Sequence, residues 1–78
     1  TACMNNARVT FELTKDRDCI EIHFNAEGLD SLIRSFKMAL ESQDHQHLMT
    51  SEWGGDNLSS DVQGFSNILI NHVKLIPM

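Results

Sequence analysis

The sequence predicts an α+β two-layer sandwich, ordered β-β-α-β-β, with one amphipathic helix packed on an antiparallel sheet of about four strands. Three observations carry that prediction. Residues 8–14 and 19–24 alternate apolar and polar side chains around a short charged break. Residues 25–42 place Leu29, Leu32, Ile33, Phe36 and Leu40 at i, i+3, i+4, i+7 and i+11, the one-sided stripe of a helix. After a polar stretch, β-branched and aliphatic residues return over 65–76.

In the first strand Val9, Phe11 and Leu13 face one way, and Arg8, Thr10, Glu12 and Thr14 face water. Lys15-Asp16-Arg17-Asp18 forms the turn, and Ile20, Ile22 and Phe24 resume the alternation against Cys19, Glu21 and His23. Two such runs joined by a short polar loop make a hairpin. Asn25 is placed to cap the helix, with Glu27 at the positive end of its dipole and Asp30, Arg34, Lys37 and Glu41 on its wet side. A helix of about 17 residues spans roughly 25 Å, close to the roughly 23 Å of a seven-residue strand. The predicted core is therefore Val9, Phe11, Leu13, Ile20, Ile22 and Phe24 beneath Leu29, Leu32, Ile33, Phe36 and Leu40. Truncating Phe36 to Ala is expected to cost about 3–5 kcal/mol.

His45–Thr50 reads as a short third strand, and 51–64, rich in Gly, Ser, Asp and Asn, as a loop long enough to be functional. Phe65–Ile76 reads as one strand with Ile68, Ile70 and Ile76 on one face and Leu69, Val73 and Leu75 on the other. If the second set packs under the helix, the isoleucines form a patch on the opposite face that suits a homodimer, unless the 51–64 loop or the N-terminal tail covers it.

Seventy-eight residues suffice for a single domain, 1–78, with 1–6 as a loose tail. The longest aliphatic run, Ile68-Leu69-Ile70, is far short of a membrane span, and no basic-then-apolar leader is present. The expected location is cytoplasmic. A net charge of −5 argues against nucleic acid and for a basic protein partner. Cys3 and Cys19 form no C-x-x-C pair; either they stay reduced or they join the tail to the second strand.

His23, His45, His47 and His72 invite a metal reading, with Asp44 or Cys19 completing a tetrahedral set. The local spacing holds no H-x-x-x-H and no H-E-x-x-H. His-x-His in a strand is more often a polar sheet face than a ligand pair. Neither cysteine sits at a helix start or in a Gly-framed turn, and Gly54-Gly55 is too short to cradle phosphate. The residues thus call for no catalysis, metal or cofactor. Trp53 is the single tryptophan, and Gly54-Gly55 after it permits a tight turn that aims the indole. Glu52, Asp56 and Asp61 surround it with negative charge. The other reading of Trp53 is a clasp holding the long loop to the sheet edge.

The string His45-Gln46-His47-Leu48-Met49-Thr50, then Trp53-Gly54-Gly55, Leu58-Ser59 and Ile70-Asn71-His72, resembles the immunity protein 32 family. Where that pattern often carries a proline after the threonine, Ser51-Glu52 stand here. The resemblance extends from the first hairpin to Lys74. It implies a small α+β, non-catalytic, cytoplasmic bacterial protein that binds and neutralises a cognate toxin domain of a polymorphic toxin system. The resemblance carries over no contact residues; the make-up of the Trp53 loop, an aromatic with a charged rim, makes Trp53, Glu52, Asp56, His45 and His47 the expected toxin contacts. The alternatives are a small metal-binding or His-based hydrolase using His45, His47 and His72, or a structural homodimer module.

Overall fold

The computed structural model describes residues 6–78. The fold is α+β, with one helix and two antiparallel sheets of three and two strands. Strands β1 (Val9–Leu13) and β2 (Ile20–Phe24) form the hairpin, α1 (Ala26–Ser42) follows, and β3 (Gln46–Met49) leads into a 3-10 turn at Ser51–Trp53. The final apolar run is two strands, β4 (Ile68–Ile70) and β5 (His72–Leu75). One sheet has the order β2-β1-β4 and the other pairs β3 with β5.

Asn25 starts the helix as expected. Its Oδ1 accepts from the Gly28 N–H at 2.8 Å and also from the Arg8 N–H at 2.9 Å, so the cap ties α1 to the start of β1. A Cβ at Gly28 would meet the Arg8 carbonyl and stand 2.8 Å from Val9 Cγ2. The missing side chain lets the first turn lie against β1. Gln43 ends the helix in the left-handed region at φ 55°, donating its N–H to the Ala39 carbonyl.

The core lies between α1, β1 and the β3–β5 pair. Val9, Phe11, Ala39, Leu48, Leu58 and Leu75 are buried, and Leu32, Ile70 and Val73 pack against them. This corrects the predicted core. Leu13 and Leu32 are half-buried, whereas Ile20, Ile22, Phe24, Leu29, Ile33, Phe36 and Leu40 are exposed. The line of the helix that packs down runs through small residues, Gly28 and Ala39, with Leu32 between them. That allows close approach and turns the larger stripe outward. Phe36 is 55% exposed, so the core-sized penalty expected for its truncation does not apply.

Two further corrections concern the sheet. Opposed residues share a face, so the pairings Phe11↔Ile70 and Leu13↔Ile68 put both isoleucines on the helix-bearing side, not opposite it. The chain breaks its alternation at Asn71, after which Val73 also reaches the core. The face away from the helix carries Thr10 and Glu12, predicted to be wet but fully buried. The segment after Ser59 folds over them. Glu12 Oε1 accepts from Gly64 N–H and Asn67 Nδ2, and Oε2 accepts from Gln63 N–H and Thr10 Oγ1, at 2.6–2.9 Å. A Cβ at Gly64 would collide with the Asn67 side chain. Burial works against the charged carboxylate, but these hydrogen bonds outweigh it and hold Glu12 down at about 2.

Cys19 is free and exposed, and Cys3 lies outside the described residues, as does the tail apart from Asn6, whose carbonyl accepts from Asn25 Nδ2. Among the described residues no helix is long and apolar enough to cross a membrane.

Candidate functional site

The β3–β5 pair sets out a row of rings. Leu48 pairs with Val73 on the core side, so His47, opposite Lys74, and Met49, opposite His72, point to the other face. His47 Nδ1 lies 2.8 Å from His72 Nε2, and the two rings stack at 5.0 Å with 21° between planes. His45, two residues before His47, meets it edge-on at 4.7 Å. The Trp53 indole lies 5.8 Å from the His72 ring at the other end. Of the predicted site residues, the structure thus joins Trp53, His45 and His47 through His72. Glu52 and Asp56 are exposed on the turn beside Trp53.

Local backbone chemistry fixes the turn. Thr50 is fully buried; its Oγ1 is 2.6 Å from Asn71 Oδ1, and its N–H donates to the Asn71 carbonyl. The Thr50 carbonyl then accepts from both Trp53 and Gly55 N–H groups. Gly54 stands at φ 89°, where L side chains are strained, and a Cβ at Gly55 would sit 2.6 Å from the Met49 carbonyl oxygen. The two glycines therefore do different work: one reverses the chain, the other admits close approach. Leu58 closes the turn beneath, bridging to Thr50 and entering the core. Trp53 is left 58% exposed, its N–H on the Thr50 carbonyl and its ring against His72, rather than buried as a clasp.

The electrostatics of the row are mixed. Desolvation first, then the positive charges of His45, His72 and Lys74, hold the His47 imidazole below the ordinary histidine range, against a weaker pull from Asp44. Asp44 Oδ1 is 3.1 Å from His45 Nδ1. The row offers flat aromatic area, ring N–H groups and a rim of both signs, which is the make-up of a contact surface.

Among the described residues, the side chains that bring three ligand atoms within 4.8 Å are Glu12, Glu21 and His23, not the predicted trio of His45, His47 and His72. In that group Glu12 is already saturated by four donors, and Glu21 Oε1 contacts His23 Nε2 at 2.8 Å and Asn67 Nδ2 at 3.0 Å. It is a polar clasp around one buried carboxylate, with Glu21 and His23 partly exposed beside it. The pairings of Glu12 with Asn67 and of Thr50 with Asn71 escaped the sequence reading, because each joins residues distant in the chain.

No curated protein and no solved structure matches this chain. The profile of one protein family, described as immunity protein 32, matches residues 20–73. That span takes in β2, the whole helix, β3, the Trp53 turn, β4 and the start of β5 with His72. It is more than half the chain. The chain belongs to the immunity protein 32 family.

Proposed function

We propose that this protein binds and neutralises a cognate bacterial toxin domain, without catalysis, as one domain over residues 1–78 acting in the cytoplasm. The family match over 20–73 carries the proposal. The Trp53–His72–His47–His45 row is its contact surface, with Glu52 and Asp56 as the acidic rim. A large exposed indole braced by stacked rings presents rigid area at little entropic cost. The net charge of −5 supports a basic toxin, since opposite charge speeds encounter.

Co-expression with the toxin encoded beside it tests this reading. The wild-type chain is expected to protect cells, and Trp53→Ala to lose protection while keeping its circular dichroism spectrum. Full protection by a folded Trp53→Ala would remove the site assignment. A wild-type chain that neither protects nor binds would remove the pairing with that toxin.

A further inference from the structure

A second surface, away from the ring row, is left open by the fold. On the helix-bearing side of the three-stranded sheet, Ile20, Ile22 and Phe24 of β2 sit opposite Leu13, Phe11 and Val9. The helix covers Val9 and Phe11 but leaves the β2 side chains exposed, Ile22 by 47%. On the helix, Leu29, Ile33, Phe36 and Leu40 form the flank adjoining the line that packs down. We propose that this face is the interface of a homodimer, with a second copy of this chain as its occupant.

Area is the first argument. Each of these side chains leaves about half its surface in water, so the seven expose on the order of 600 Å² of apolar area. That lies at the top of what a monomer's largest patch reaches, and approaches the roughly 800 Å² each partner contributes to a standard interface. Chemistry is the second. Glu21 and His23 lie on the other face of β2, and Asp30, Arg34, Lys37 and Glu41 on the far side of the helix. A face without charge is what two chains of net charge −5 need in order to meet, and homodimer interfaces are the more apolar kind. A basic partner would instead be met by carboxylates. The third argument is the core: among the described residues 6–78 only six apolar side chains are buried, and a twofold contact at this face would join the two cores into one. β2 is also an edge strand whose inward side chains are all large and apolar, a feature that invites pairing when left open.

Sedimentation equilibrium of the full chain from micromolar to millimolar concentration tests the proposal. The expected mass is twice 8.8 kDa, falling to the single-chain value for Ile22→Asp and for Phe36→Asp, and unchanged for Trp53→Ala. Both substituted side chains are about half exposed in the protomer, so a folded monomer is the expected product. Hydrogen exchange on the wild type gives a readout free of variants: β2 amides should gain protection as concentration rises. A wild-type chain that is monomeric throughout, including one that buries this face only when its toxin is added, overturns the proposal. So does a dimer that dissociates with Trp53→Ala and resists both aspartates. None of these measurements depends on protection from the toxin.

Discussion

Glu12 Oε1 accepts from the Gly64 N–H at 2.9 Å, joining the middle strand of the larger sheet to a residue 52 positions away. With the bonds from Gln63, Asn67 and Thr10, it makes a buried carboxylate the organiser of the segment that covers one sheet face. Replacing Glu12 by Ala strands the backbone N–H groups of Gln63 and Gly64 and the Thr10 hydroxyl, and leaves the Asn67 amide with Glu21 alone as its acceptor. The expected loss is about 3–5 kcal/mol, comparable with the stability of a small domain. Glu12→Gln keeps one acceptor oxygen and should lose about 1–3 kcal/mol. Urea denaturation at neutral pH measures both.

The same carboxylate sets an acid limit. Its folded value of about 2 lies below the ordinary 4.5, so the unfolded chain takes up the proton first as pH falls. Glu12 therefore contributes its full stabilisation above 4.5 and loses it progressively down to about 2. Urea midpoints taken from pH 7 to pH 2.5 should fall across this window in the wild type. In Glu12→Gln the dependence should be shallower.

Gly28→Ala is expected to destabilise despite the helix propensity of alanine. Propensity favours the change by up to about 1 kcal/mol. The new Cβ, however, meets the Arg8 backbone carbonyl and the buried Val9, and overpacking of that kind costs about 1–3 kcal/mol. A lower thermal midpoint is the expected outcome; a higher one would mean that the helix start can slide off β1.

The contact of His47 with His72 requires one ring nitrogen to donate and the other to accept, so at least one ring is neutral. His47 titrates below the ordinary histidine value of 6.5 because of desolvation and the charges around it. The unfolded chain therefore binds this proton first, and the stability contribution falls as pH drops from 6.5 through the folded value. Imidazole titration by NMR should show His47 protonating last relative to a free histidine as the solution is acidified. His72→Asn should move it back toward the ordinary value.

The order β-β-α, the Asn25 cap and the third strand were legible because each rests on a local rule: alternation, helical spacing, or a capping oxygen three residues from a free N–H. The ring row was half legible. His45, His47 and Trp53 lie close in sequence, and the glycines after Trp53 announce a turn, but His72 joins them only because β5 pairs with β3.

The tertiary structure decided everything that depends on what covers what. Hydrophobic period marks Leu29, Ile33, Phe36 and Leu40 as apolar, and period alone cannot say whether a neighbour in the same chain covers them. The sheet took the narrower line through Gly28, Leu32 and Ala39 instead. Thr10 and Glu12 alternate as a wet face should, and they are buried because a segment some fifty residues later supplies their hydrogen bonds. The break at Asn71 splits a run that sequence reads as one strand, since the Thr50 bonds that meet it come from the end of β3, 21 residues away in the chain. By itself the sequence determined the local elements and the family pattern. Burial, and with it the two open surfaces, followed from contacts between residues far apart in the chain, which local spacing does not encode.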